Sequence, residues 1–160
     1  MTVSGSPGEV ARDIVDANRY MVLATADHVG TPWSSPVYFA HRGYREFFWV
    51  SSPQATHSRN IAVRPQVGIV VFDSSVAIGT GQGVYMSAVA TAVEAADAEE
   101  ALAVFSRRSV THGGRVWTAE DIQDARGVSG IALYRAVADE HSMLAKDGQP
   151  DHRVPVQLTD

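Results

Sequence analysis

The chain contains no cysteine. Disulfides, thiolate zinc sites, cysteine-held iron–sulfur clusters and a cysteine nucleophile are therefore excluded at once. No apolar run approaches the ~18 residues of a membrane-spanning helix. Met1 to Gly8 form a short polar start without the apolar core of a signal peptide. The expected protein is soluble and cytoplasmic, with no membrane partner. Basic residues are the minority: 13 Lys and Arg stand against 18 Asp and Glu, a formal net charge of −5. Nucleic-acid binding calls for a basic face, so no such partner is expected. A local basic patch remains available from Arg59, Arg64, Arg107 and Arg108.

Chemical signatures are also scarce. The six histidines, His28, His41, His57, His112, His141 and His152, lack HExxH or related ligand spacing, and no metal site is expected. His112-Gly113-Gly114 has no Gly-x-Ser-x-Gly partner elsewhere to make it an oxyanion loop. Gly79-Thr80-Gly81-Gln82-Gly83 has the wrong spacing for a dinucleotide loop, and a β-type run follows it rather than a helix. No catalytic acid, base or nucleophile can be named. Either a bound cofactor carries the chemistry, or the protein is a pure binding module.

What is present is a dense succession of β signals. The length of 160 residues and 45% hydrophobic content suit one compact domain over 1–160. Ser6-Pro7-Gly8-Glu9 reads as a capping box opening a helix to about Asn18. Strands are expected at Tyr20–Ala26, Trp33–His41 and Glu46–Ser51, with Pro36 marking an edge or bulge. A short helix follows within Pro53–Arg64, capped by Ser52 or Thr56 and stopped by Pro65. Val67–Phe72 reads as a strand buried on both sides. Val84–Val93 is another strand, after the Gly79–Gly83 loop. Asp97 caps a helix to Arg108, with Leu102 and Phe105 facing the core. Thr118–Asp121 opens a brief helix. Ile131–Ala138 is a strand, and Ser142–Ala145 with Arg153–Leu158 suggests a terminal hairpin. Strands joined by short turns, with helices inserted singly, predict a mainly β, antiparallel barrel rather than a doubly wound parallel fold.

The order of parts from Tyr20 to Val93 resembles the flavin-binding core of the pyridoxamine-phosphate-oxidase-like split β-barrels. The matching parts are Gly30-Thr31-Pro32, the strand to His41, Phe47–Ser52, the helix carrying Thr56-His57-Ser58-Arg59-Asn60-Ile61, and Arg64-Pro65-Gln66-Val67 before a buried strand. The resemblance implies a split barrel and a homodimer with flavin mononucleotide (FMN) between subunits. It also implies an oxidoreductase acting on a small molecule. A flavin phosphate wants N–H and O–H donors at a helix start, which Ser51, Ser52, Thr56, His57, Ser58 and Arg59 supply. The strand Ser35-Pro36-Val37-Tyr38 offers an apolar wall and backbone groups for the ring, and Gln82 a contact to its edge. The oxidase's phosphate-binding arginine and lysine fall at Ser35 and Ala40, and its basic pair at Thr56 and His57. Two alternatives stand beside FMN. A deazaflavin would use a basic groove built from Arg59, Arg64, Arg107 and Arg108. A non-catalytic flavin or haem binder would, for haem, ligate iron through His57 or His141.

Overall fold

The computed structural model describes residues 5–122 and 130–158. Helix α1 (Pro7–Ala17) starts with the predicted capping box: Glu9 N donates to Ser6 Oγ, and Ser6 N to Glu9 Oε2. Strand β1 (Tyr20–Ala26) turns at Asp27–Gly30 into β2 (Pro32–Tyr38). Gly30 takes a φ of 94°, open to glycine at little cost. The expected strand to His41 breaks at Phe39 and resumes as β3 (Ala40–Arg42). Then come β4 (Glu46–Ser51), α2 (Thr56–Val63), β5 (Gln66–Phe72) and β6 (Gly83–Ala92). Helix α3 (Ala95–Thr111), a 3-10 turn (Ala119–Ile122), β7 (Ala132–Leu144) and β8 (Arg153–Pro155) complete the chain.

The strands form one antiparallel sheet in the order β2-β1-β5-β6-β7-β4-β3, with β8 on β7. The sheet curls into a split barrel. Its concave side holds the main core, where Met21, Leu23, Phe39, Phe47, Trp49, Ile69 and Val84 are fully or almost fully buried. α1 closes this core through Ala11 and Val15. A second cluster packs Leu102 and Phe105 of α3 against Phe48 and Leu133 on the other side of β4 and β7, as the sequence predicts for those two residues.

Four expectations need correction. The α2 N-cap is Ala55, and neither Ser52 nor Thr56 caps it. Ser52 Oγ instead accepts from Gln54 N, an earlier turn that competes for the hydroxyl. Asp97 lies inside the first turn of α3, whose N-cap is Glu94. β5 is buried on one face only, because among the described residues no helix covers the convex side of this sheet region. Ser142–Ala145 is no separate strand. β7 runs through to Leu144, and a bulge opposite Ser87/Ala88 absorbs the extra residue. The hairpin partner is the short β8.

Arg108 sits at the junction of these parts. Its guanidinium donates to the carbonyls of Phe39, Val15, Asp16 and Asn18 and lies over the Phe39 ring at 4.3 Å. Only a planar fork with several donors can serve four carbonyls at once. Arg108→Lys should therefore lower stability by about 3 kcal/mol, since bonds from a charged donor contribute ~1.5–3 kcal/mol each and do not add fully. Urea unfolding checks this, and a midpoint equal to the parent's would reduce Arg108 to a surface charge.

Candidate cofactor site at the start of the second helix

β4 ends at Ser51, four residues (Ser52 to Ala55) follow, and α2 starts without a side-chain cap. The first helical bond runs from Arg59 N to Ala55 O. The N–H groups ahead of it are left without helical acceptors, and they carry the positive end of the helix dipole. Ser51, Ser52 and Thr56 set three hydroxyls around that end, each partly open to solvent.

His57 is buried behind this cluster, with Nε2 2.9 Å from Ser51 Oγ. Burial holds its pKa below the usual imidazole value, so it is neutral at pH 7. Two tautomers are possible, with different consequences. If Nε2 accepts from Ser51, that hydroxyl is used up. If Nε2–H donates, Ser51 keeps its own O–H for a ligand. Any influence of His57 on a group at this helix start would thus pass through Ser51. On the same flank of α2, Asn60 Nδ2 donates to Thr25 Oγ1 at 3.0 Å in a fully buried bond that fixes the helix on β1.

The other predicted residues are spread more widely. Ser58 and Arg59 turn to the opposite flank of α2, where they line a cavity of about 430 Å³. On β2, Ser35 and Val37 pair with Leu23 and Met21 and share their concave side. Ser35 Oγ accepts from Trp33 Nε1 at 3.1 Å. Pro36 and Tyr38 lie on the convex side. Tyr38 packs edge-on against Phe105 and its hydroxyl lies 2.8 Å from His112 Nδ1. Desolvation raises the Tyr38 pKa and lowers that of His112, so both groups are neutral and the imidazole tautomer decides which one donates. A ligand on one face therefore meets only half of these four side chains. As an edge strand, β2 still leaves backbone groups free along its outer margin.

Gln82 is not part of the cluster within one chain. Its amide donates to Leu144 O and accepts from Gly83 N and Leu144 N. It sits by the first pairs of β6, whereas Ser51 pairs with Ala132 near the strand's last pairs. Two of the four arginines are also committed elsewhere: Arg64 donates to the carbonyls of Asp27 and His28, and Arg108 to the four named above. Among the described residues no group of three or more metal-ligating side chains occurs, and no helix is long and apolar enough to cross a membrane.

One region had no sequence signal as a whole. Arg45, Glu140, His141 and Arg153 meet around a cavity of about 620 Å³ between the β7 bulge and the C-terminal strand. His141 is half-buried with Nε2 2.6 Å from Tyr44 O, and burial lowers its pKa. Arg153 lies over the Tyr85 ring at 3.8 Å. The β4–β7 pairing brings Arg45 to Glu140 and His141, and the β7–β8 pairing adds Arg153.

Residues 8–140 match the family of pyridoxamine 5'-phosphate oxidase. The chain belongs to this family. No curated protein matches it by sequence. Among solved structures it resembles a heme binding protein from Mycobacterium smegmatis, with a TM-score of 0.71 and 20% identity over 96% of this chain and 60% of that one. It also resembles HutZ, the heme storage protein from Vibrio cholerae, with a TM-score of 0.63 and 26% identity over 83% of this chain and 89% of that one. ChuZ from Campylobacter jejuni gives 0.68 and 15%, over 91% of this chain and 58% of that one. The chain thus spans about 60% of two of these neighbours. The pyridoxamine 5'-phosphate oxidase family assignment and the split barrel agree with the resemblance drawn from the sequence.

The buried imidazole gives this member of the family an acid sensitivity. The unfolded chain binds the His57 proton more readily than the folded one. Stability is complete above about pH 6.5, the ordinary histidine value, and falls as pH drops through the lowered folded value. His41 and His141 shift in the same direction. Urea midpoints should decline between neutral and mildly acidic pH, with a shallower decline in His57→Gln. An identical decline in that variant would assign the effect to the other histidines.

Proposed function

We propose that this protein binds FMN as a homodimer, with the phosphate at the start of α2, and serves a flavin-dependent redox reaction on a small molecule. The uncapped α2 N-terminus ringed by Ser51, Ser52 and Thr56 carries this reading. Orphan N–H groups and hydroxyl donors are what a phosphate needs, and the residues present fit it. The free edge of β2 supplies backbone groups for the ring's polar edge. The bound flavin would supply hydride or electron transfer. The protein's part is to hold the phosphate, orient the ring and exclude water. The convex face bearing Val22, Ala24, Pro36, Val70 and Val89 is bare in one chain, and a second copy would cover it.

Haem is the second reading. The solved neighbours named above support it, as does the setting of His141. If its Nε2–H donates to Tyr44 O, Nδ1 is left as a free lone pair, the arrangement of a metal-ligating histidine with a fixed tautomer. Arg45 and Arg153 would face acidic groups of the macrocycle. A deazaflavin has less support, because Arg64 and Arg108 are engaged by backbone carbonyls.

The absorbance spectrum of the purified protein separates these readings, since a Soret band means haem. On titration, FMN should bind tighter than riboflavin, and Ser51→Ala should weaken FMN about tenfold, the loss of one bond to a charged group. Riboflavin affinity should be unchanged. His57→Gln should lose less, because its amide can still donate to Ser51. Absence of FMN binding, or equal loss for both flavins, would overturn the phosphate assignment. Light scattering should give a dimer, and a cofactor-loaded monomer would remove the two-chain site.

A further inference from the structure

The flank of α2 that faces away from His57 carries a cavity of about 430 Å³ with a composition of its own. Its walls are apolar: Pro53 from the turn, Ile61 from the helix, Pro65 beyond it, Ala90 from β6 and Tyr134 from β7. Tyr134 is buried and backed by Trp49, stacked on it at 5.7 Å with the rings 15° apart, so this wall is flat and rigid. Thr91 and two polar residues of α2 interrupt the apolar lining. Ser58 is only 3% exposed, and among the described residues its hydroxyl has no hydrogen-bond partner. A buried hydroxyl left unpaired costs free energy, and a turn about its Cα–Cβ bond presents it to an occupant. Arg59, the next residue, is exposed at the rim. Among the described residues its guanidinium has no hydrogen bond or salt bridge with a side chain.

We infer that this cavity is a binding site for a small aromatic carboxylate, its ring between Tyr134 and Ile61, its carboxylate on Arg59 and an oxygen within reach of Ser58. The flat wall selects a ring over a branched chain. The unpaired guanidinium selects an anion with two oxygens in one plane. The unpaired hydroxyl adds a donor inside. A phosphate ester fits less well, since one cation at the rim leaves the second charge unmet. The site is separate from the proposed flavin phosphate site, because His57 and Ser51 lie on the opposite flank of α2. It stands or falls independently of FMN.

Benzoate is the probe, read through amide signals in two-dimensional NMR of the full chain. The signals of Ser58, Arg59, Ala90 and Thr91 should shift saturably at millimolar benzoate. Benzyl alcohol, with the ring and no charge, should bind more weakly. Arg59→Gln, at an exposed position, should weaken benzoate about tenfold without changing the melting temperature. Ala92→Phe, which fills the mouth from an exposed strand position, should abolish the shifts. Benzoate shifts that map to the Ser51–His57 flank, no saturable shift, or equal affinity for benzoate and benzyl alcohol would each overturn the proposal.

Discussion

β2 and β3 stand at opposite ends of the sheet, yet a single residue, Phe39, joins them in the chain. A sheet whose two ends are linked by one residue has to curl until those ends meet. The barrel is thus closed by covalent chain rather than by a ladder of hydrogen bonds. Phe39 is fully buried, its N–H donates to Arg19 O, and its carbonyl is taken by Arg108. Arg108 reaches from α3 to the end of α1 through the same guanidinium. The curvature, the seating of α1 and the docking of α3 therefore meet at one side chain and one ring.

The curl leaves an opening where β2 has no neighbour on its outer side, and α2 lies by that opening against β1 and β2. Asn60 bonds Thr25 of β1 and Arg64 bonds the turn before β2, and β2 beyond them carries unpaired backbone groups on its outer edge. Pro36 is tolerated there because an edge strand can forgo a ladder bond. The candidate cofactor site is thus a by-product of how the barrel closes. The convex face of β1, β5 and β6 is uncovered for the same reason: the inserted helices occupy the concave mouth and the β4 side.

Much of the fold was legible in the sequence because its signals are local. The capping box at Ser6 and Glu9, the aromatic run of β4 and the Arg64-Pro65 stop each act within a few residues. What was not legible depended on partners far away in the chain. The break at Phe39 follows from sheet closure, which no window around WSSPVYFAH contains. The one-sided burial of β5 follows from which face a helix covers. The α2 cap was misread because Ser52 has two uses for one oxygen, and the turn takes it. At the site, the clustering of Ser51, Ser52, Thr56 and His57 was readable from a strand running into a helix. The roles within it were not. Helical rotation puts Ser58 and Arg59 on the far flank, and β-alternation divides Ser35 and Val37 from Pro36 and Tyr38. Arg108 looked like a charge at a helix end, and only the fold shows it as an internal clamp.

The character of the phosphate cradle follows from what fills the places where the family resemblance leads one to look for cations. Ser35, Ala40 and Thr56 carry no charge, and burial keeps His57 neutral. An anion held here is met by aligned N–H dipoles and hydroxyls alone. Such dipoles are fixed by the backbone and attract an anion without a counter-ion to displace, so the attraction depends less on salt than an arginine pair would. They also give less total attraction for a second negative charge. The cradle therefore suits a phosphate whose affinity is shared with the rest of the ligand, as the proposed ring contacts along β2 and a second copy would allow. In the proposed dimer the helix terminus would orient the phosphate and supply the affinity that FMN holds over riboflavin, while the ring contacts and the second copy would supply the rest.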